Sequence, residues 1–283
     1  MNFKIGITGS TGVIGSELKK KIKNNVSVFK GDITKKKEVD LWVSKNKFKS
    51  IYHLAAVVPI REFNKNKAKS LKVNFLGTKY LVDAIIKYQS KKIWFFYTST
   101  SHVYKLYKKN YKIKETDICK PQNLYGESKR LAEKYIIQEF SKYNYNYTIA
   151  RIFSLAHKNQ RSSYFVPAMI DKLVKSNKKD ITKIDNVNHC RDFLNSKDTI
   201  NAIFMLVKKR KAGIFNIGSG KKISLSSIIY YLNKFFKKKI KINHKHKNTF
   251  LIANNTKLRR MGWKSKYNFF SELTDILKYK TSK

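Results

Sequence analysis

The sequence predicts an α/β protein, a doubly wound parallel sheet with a smaller C-terminal α/β subdomain. Three observations predict it. Short apolar runs alternate with amphipathic stretches from Phe3 to Phe153. Three glycines, Gly9, Gly12 and Gly15, stand directly after the first apolar run. Beyond Phe153 the rhythm loosens, with no repeat and no flexible linker. Strand, helix, strand at this spacing needs crossover connections, so neighbouring strands run parallel and helices cover both faces.

Each element follows from its pattern. Phe3–Ile7 is a short buried strand and Ile14–Ile22 an amphipathic helix. Val26–Phe29 is a strand, Lys36–Lys45 a helix and Ile51–Ala55 a buried strand. Ser70–Tyr88 is a long helix, with Leu71, Phe75, Leu81 and Ile85 among its apolar positions. Ile93–Tyr97 is a strand, Leu124–Tyr143 a second long helix and Tyr147–Phe153 a strand. Later helices are expected at Val166–Lys175, Ser196–Lys209, Leu225–Phe236 and Phe269–Tyr279, with a strand and turn in Gly213–Gly220. Period-2 and period-3.6 apolar spacing carries these assignments.

With 283 residues, 42% of them hydrophobic, the chain has ample apolar surface for a core, which excludes a disordered protein. Its charge is extreme: 62 basic residues face 18 acidic ones, a net of +44. One reading is a nucleic-acid or anionic-membrane binder. The other is a biased, solvated surface, because the lysines spread along helix faces, as in Leu18-Lys19-Lys20-Lys21-Ile22, and form no tail. The second is preferred here, and nucleic acid is not the expected partner. The two cysteines, Cys119 and Cys190, have no metal-ligand spacing, and no metal is expected. Strand-like sequence from Phe3 leaves no room for a signal peptide, and the longest apolar runs, such as Ile51–Ile60, are too short to span a bilayer. A cytoplasmic protein is expected.

Gly9, Gly12 and Gly15 close the first strand and open the first helix through Thr11, Val13 and Ile14. In that position Gly9 permits a tight turn, Gly12 lets the backbone approach a pyrophosphate, and Gly15 allows close packing. The helix N-terminus adds free N–H groups and a partial positive charge. A dinucleotide cofactor, NAD or NADP, is therefore expected. No acid closes the second strand, where Lys30 stands, so the ribose reading leans slightly to NADP. Asp32, in Gly31-Asp32-Ile33, is placed to accept from the adenine amine.

Tyr125 and Lys129 lie four apart at the start of a predicted helix and so share a face. A free Tyr has a pKa of about 10, and a nearby ammonium lowers it. Upstream, Tyr97-Thr98-Ser99-Thr100-Ser101-His102-Val103-Tyr104 sets a cluster of hydroxyls directly after a strand, where doubly wound sheets bind ligands. A hydroxyl there can hold a carbonyl oxygen beside the Tyr. His102 reads as a local hydrogen-bonding residue.

With these motifs in order, the chain resembles the extended short-chain dehydrogenase/reductases, specifically the NAD-dependent epimerase/dehydratase group. The resemblance runs from Thr8–Gly15 through His53-Leu54-Ala55-Ala56, Asn74–Thr78, Thr100, and Tyr125 with Lys129. It continues to Arg191-Asp192-Phe193, Asn216–Gly220 and Met261-Gly262-Trp263. It implies Tyr125 as acid–base catalyst, Lys129 tuning it and binding ribose, and Thr100 as the hydroxyl partner. It implies a cofactor held by Gly9, Thr11, Gly12, Val13, Ile14 and Gly15, by Lys30, Asp32 and Ile33, and by Leu54, Ala55, Ala56, Asn74 and Thr98. On the substrate side it implies Val58, Thr100, Ser101, His102, Ser154 and Arg191. Arg191 would pair with a nucleotide-sugar diphosphate, the alternative being a surface ion pair with Asp192 or Asp198. The implied domains are residues 1–153 with 192–210 for the Rossmann part, and 154–191 with 211–283 for the substrate-binding subdomain. A homodimer through the helices bearing Asn74 and Tyr125 is implied as well.

The chain departs from the group's pattern at Ser154, where Asn is usual, and at His157 and Lys105, each in place of Gly. These changes bear on sugar specificity. Hydride transfer to or from a sugar carbon is the expected chemistry, with 4-keto sugar reduction ahead of 4-epimerisation by bound NAD. Dehydration is disfavoured because Ser101 stands where an acid would. An idle member of the fold binding nucleic acid or serving regulation is the non-enzymatic alternative, separated by salt-dependent binding to random DNA.

Overall fold

The computed structural model describes residues 3–22, 24–177, 179–185, 187–243 and 248–282. The chain runs β1 (Lys4–Thr8), α1 (Val13–Lys21), β2 (Val26–Val28), α2 (Lys36–Ser44), β3 (Phe48–His53), α3 (Ile60–Lys65), α4 (Lys67–Leu71), a π-helical turn (Lys72–Leu76) and α5 (Gly77–Tyr88). It continues through β4 (Trp94–Thr100), a 3₁₀ turn (Ser101–Val103), β5 (Lys112–Ile113), α6 (Leu124–Lys142), β6 (Asn146–Ile152), β7 (Ser154–Leu155), α7 (Phe165–Lys175), β8 (Thr182–Asp185), β9 (Cys190–Arg191) and β10 (Phe193–Leu194). It ends with α8 (Ser196–Lys208), β11 (Gly213–Ile217), β12 (Ile223–Ser224), α9 (Leu225–Phe236), β13 (Ile240–Asn243), β14 (Phe250–Ala253), α10 (Thr256–Arg260) and α11 (Phe269–Thr281).

Two compact units emerge. The first gathers residues 1–105, 118–152 and 200–215, the second 106–117, 153–199 and 216–283. These differ from the expected domains chiefly in giving 106–117 and 192–199 to the second unit. In the first unit a six-stranded sheet has the order β11-β6-β4-β3-β1-β2, and β2, β1, β3, β4 and β6 pair in parallel. Every residue of β4 is buried. Phe95 and Tyr97 join Val39 and Val43 of α2, Leu81 and Ile85 of α5, and Ile136 and Phe140 of α6 in one cluster. Trp94 and Phe96 point the other way along the pleat and are equally buried, so both faces of the sheet are covered. The mostly parallel, doubly wound sheet expected from the alternation is the observed one.

Three boundaries differ from expectation for physical reasons. β4 runs on to Thr100, so the hydroxyl cluster ends the strand rather than following it; β-branched threonines suit a pleated, buried strand. β3 begins at Phe48 and stops at His53, which frees Leu54–Ala56 as a loop. The long helix starts at Lys67 and contains a π turn over Lys72–Leu76, marked by Gly77 N–H donating to the Lys72 carbonyl. Apolar periodicity cannot register one such widened turn.

In the second unit α7, α9 and α11 pack through Val166, Ile170, Leu173, Ile228, Leu232, Leu273 and Ile276. A four-stranded sheet has the order β12-β9-β14-β5. Three buried carboxylates knit this unit by accepting N–H and O–H groups. Asp192 takes the Ser219, Gly220 and Ala253 amides and the Ser219 hydroxyl. Asp198 takes the Lys266 and Tyr267 amides and the Ser265 hydroxyl. Glu272 takes the Ser196 amide and hydroxyl. Among the described residues no helix is long and apolar enough to cross a membrane.

Candidate active site

The site is built at the carboxyl ends of β1 and β4, on either side of β3. After β1 the chain turns through Gly9, whose φ of +69° lies in the left-handed region that favours glycine. A Cβ at Gly9 would lie 2.5 Å from the Ala55 amide nitrogen, so the turn rests directly on the loop after β3. A Cβ at Gly15 would collide with the Gly9 carbonyl oxygen, so α1 packs against the turn itself rather than against the strand. Gly12 is different. It is exposed, and a Cβ there would meet nothing closer than the Gly9 oxygen at 3.4 Å. As N-cap of α1 it offers no side-chain partner to the helix amides. The protein's own packing demands Gly9 and Gly15. Gly12 instead keeps open an approach to free N–H groups at a helix N-terminus, which fits a dinucleotide pyrophosphate. Gly15→Ala should therefore cost on the order of 1–3 kcal/mol in urea unfolding, as overpacking against rigid backbone does. Gly12→Ala should leave that stability nearly unchanged and weaken dinucleotide binding; equal stability losses would remove the distinction.

β4 delivers Thr100, whose hydroxyl accepts the His102 N–H and caps the 3₁₀ turn. With its acceptor side engaged, that hydroxyl has its proton to donate. The turn presses on the start of α6: a Cβ on Gly126 would collide with the His102 carbonyl oxygen. Only glycine permits this approach, which brings Tyr125 beside the strand end. The Tyr125 ring lies edge-on to His102 at 5.9 Å and to Phe63 at 6.2 Å. Asn123 caps α6 by accepting the Gly126 N–H.

One helical turn on, Lys129 is buried with its Nζ 4.2 Å from the centre of the Tyr97 ring. Burial pushes its ammonium down to about 7, with the Glu133 carboxylate acting in the opposite direction. Tyr97 in turn stacks on His53 at 5.6 Å. His53 is fully buried, its Nδ1 2.7 Å from the Thr8 hydroxyl and its Nε2 2.9 Å from the Thr78 hydroxyl. Burial, helped by the Lys129 charge, pushes this imidazole down to about 3, so it is neutral. A column from the glycine turn through His53 and Tyr97 to Lys129 thus joins the two halves of the site.

The other expected residues are placed as follows. Asn74 is buried; its Oδ1 accepts the Val57 N–H, and its Nδ2 donates to the Val57 carbonyl and the Ser128 hydroxyl. It holds the Leu54–Val58 loop onto α6 rather than presenting a free amide. The Thr98 hydroxyl donates to the His53 carbonyl, tying β4 to β3. Thr11 is exposed at the turn, with Val13 and Ile14 half-buried beside it. Lys30 and Asp32 are exposed after β2, and Ile33 is buried. The Asp32 Oδ1 accepts the amide and hydroxyl of Thr34, which hold its carboxyl below the usual range. Leu54, Ala55 and Ala56 are half-buried, Val58 is exposed, and Ser101 is buried in the 3₁₀ turn. Ser154 sits in β7, paired with Phe193.

Arg191 makes neither of the ion pairs weighed as the alternative. Its NH1 donates to the carbonyls of Cys190 and Thr249 and, with NH2, to the Thr249 hydroxyl. Burial lowers it to about 10, and among the described residues it has no carboxylate partner.

Sequence reasoning missed Thr8, His53 and Thr78 as a set, and it missed a buried charge cluster under α6. Arg151 of β6 grips Glu133, Nε to Oε1 at 2.9 Å and NH2 to Oε2 at 2.8 Å. Arg130 reaches the same Oε2 at 2.8 Å. One signal was available. Arg151 stands in the apolar run Ile149-Ala150-Arg151-Ile152-Phe153, and a buried charge needs a partner.

Comparison with known proteins agrees with this architecture. The family model described as GDP-mannose 4,6 dehydratase matches residues 8–276. A dTDP-D-glucose 4,6-dehydratase of Dictyostelium discoideum is 27% identical over 261 residues, covering 78% of this chain; the chain spans 59% of that relative's length. A GDP-6-deoxy-D-talose 4-dehydrogenase of Aggregatibacter actinomycetemcomitans is 28% identical, covering 73% of this chain and 71% of its own. The solved structure of RMD from Pseudomonas aeruginosa with NADPH shares the fold at a TM-score of 0.85, with 21% identity and 99% of each chain covered. The chain belongs to the GDP-mannose 4,6 dehydratase family and, with it, to the NAD-dependent epimerase/dehydratase group of extended short-chain dehydrogenase/reductases.

Proposed function

We propose that the chain is a cytoplasmic NAD(P)-dependent enzyme that reduces the 4-keto group of a nucleotide-activated sugar. The observation that carries this reading is that α6 sets the Tyr125 ring 5.9 Å from His102, whose N–H the Thr100 hydroxyl accepts at the end of β4, and buries Lys129 one turn on with its Nζ over the Tyr97 ring of β4, in the same unit as the open Gly12 turn. When bound, the nicotinamide cofactor would supply the hydride. The rest falls to the chain. Tyr125 gives its phenolic proton to the carbonyl oxygen as that oxygen gains charge, and Thr100 donates a hydrogen bond that orients it. Lys129 stabilises the phenolate left behind and holds the ribose. Gly9, Thr11, Gly12, Val13, Ile14 and Gly15 hold the pyrophosphate; Lys30 favours NADP, and Asp32 with Ile33 meets the adenine. Ala55 and Ala56 line the cofactor from a loop that Asn74 fixes.

The relatives named for nucleotide-linked sugars support the substrate class. So does Arg191, whose half-buried guanidinium is bonded among the described residues to neutral oxygens and is thus suited to a diphosphate. Ser101, His102, Val58 and Ser154 are the remaining sugar-side candidates. A homodimer through the helix bearing Asn74 and the helix bearing Tyr125 belongs to the same reading, with Leu124 and Leu131 exposed on α6. Among the described residues Cys119 and Cys190 form no disulfide, which suits a reducing compartment.

The test is loss of reduced-nicotinamide absorbance with a panel of nucleotide-linked 4-keto sugars. An epimerase would instead retain NAD through purification and consume none. No turnover on any sugar, together with no dinucleotide binding, would leave only a fold. Arg191→Gln should raise KM for the nucleotide sugar by about 10- to 100-fold, the worth of a charged hydrogen-bonding group of roughly 1.5–3 kcal/mol, and leave the cofactor Kd unchanged. An unchanged KM would remove Arg191 from the substrate site.

A further inference from the structure

Glu133 is a buried charged group that the mechanism above does not use. It is 0% exposed, and its two oxygens accept three hydrogen bonds from Arg151 and Arg130. Arg151 is itself buried, with its NH1 donating to the Tyr104 hydroxyl at 2.9 Å. Burying such a pair is a weak route to stability, because desolvation offsets most of the attraction and apolar replacements often do as well. The place of the pair in the fold suggests another use. Glu133 stands four residues after Lys129 on the inward side of α6, and four residues is one turn. Among the described residues, Tyr97 of β4 lies under the Lys129 ammonium, His53 of β3 feels its charge, and Tyr125 and Glu133 stand one turn before and one turn after it on α6. Of these only Glu133 is a carboxylate. Among the described residues Lys129 makes no direct ion pair, so this carboxylate acts on it through space.

We propose that Glu133 is a positioning residue for the catalytic helix: its carboxylate, pinned by Arg151 and Arg130, favours the charged form of the buried Lys129 on the helix face that Lys129 shares with Tyr125. The inference rests on the dehydrogenase reading only for its consequence in turnover. The charge relation itself can be measured without cofactor or substrate. The arginines set the strength of the effect, because each draws on the charge that Lys129 would otherwise feel. Removing the partly exposed Arg130 should therefore act opposite to removing the Glu133 charge.

The experiment is ¹³Cε NMR of lysine-labelled protein across pH, with the Lys129 resonance assigned by its loss in Lys129→Met. In the unaltered protein it should titrate near pH 7, apart from the surface lysines. Glu133→Gln, an isostere without charge, should lower that midpoint by about one unit, a tenfold change in ionisation. Glu133→Asp keeps the charge but shortens the side chain, and should stay closer to the original midpoint. A purely structural role predicts the reverse order, since Gln fits the arginine fork better than Asp does. Arg130→Gln should raise the midpoint and keeps the question open to test if Glu133→Gln does not fold. A midpoint unmoved by Glu133→Gln and by Arg130→Gln, or moved equally by Glu133→Asp, overturns the proposal. If the midpoints move as expected while no nucleotide sugar is turned over, the charge relation stands and the dehydrogenase reading fails.

Discussion

Tyr125→Phe should lower kcat by about 10²–10⁴-fold, the usual worth of a positioned acid–base group, while leaving dinucleotide affinity nearly intact. The substitution removes one oxygen and keeps the ring. The edge contacts with His102 and Phe63 remain, as does the fit of Gly126 under the His102 carbonyl. Thr100 and Lys129 are untouched, so orientation of the substrate oxygen and the grip on the ribose should survive. Fluorescence titration with NADPH and steady-state turnover measure the two halves of this expectation. Equal kcat in the variant would falsify the acid–base role. A parallel loss of cofactor binding would instead make Tyr125 a binding group.

The second large effect concerns stability. His53 is locked between the Thr8 and Thr78 hydroxyls as a neutral ring, and it gains a proton only near pH 3 in the folded chain against about 6.5 when unfolded. A depressed folded-state pKa means the unfolded chain takes the proton first. The contribution is fully present above about pH 6.5 and drains away as pH falls towards 3. At about pH 4.5 the linkage amounts to on the order of 3 kcal/mol. Urea unfolding of the native protein and of His53→Gln, each at about pH 7.5 and pH 4.5, isolates it. The native protein should lose that much more than the variant on acidification. Parallel losses would mean that His53 does not carry the acid sensitivity. Asp192 and Glu272, whose carboxyls burial holds above their usual range, titrate alike in both proteins and cancel in the difference.

The fold was legible because local patterns carried it. Alternating apolar runs gave the parallel strands, and the glycine spacing gave the turn. The four-residue step from Tyr125 to Lys129 gave a shared helix face. What escaped was non-local. Glu133 and Arg151 meet across a helix and a strand, and nothing in either segment names the other. His53 was read as part of a motif, yet its two hydroxyl partners come from β1 and α5. The hydroxyl cluster was placed after β4 because Thr and Ser often mark turns, whereas burial in the parallel sheet overrode that preference. Gly126 lies between Tyr125 and Lys129, and nothing in the segment itself marks it. Its spatial demand became visible only with the His102 carbonyl against it.

The chain has few carboxylates, and it commits several of them to its interior, where Asp192, Asp198 and Glu272 gather amides and Glu133 answers Arg151. The outer shell is left more one-sided than the composition alone suggests. Copies of the molecule should repel one another strongly in dilute salt and do so less as added ions shorten the screening length. The same shell would draw small anions inward from a distance. The scarce acids hold the architecture, and the abundant lysines set how the particle meets its surroundings.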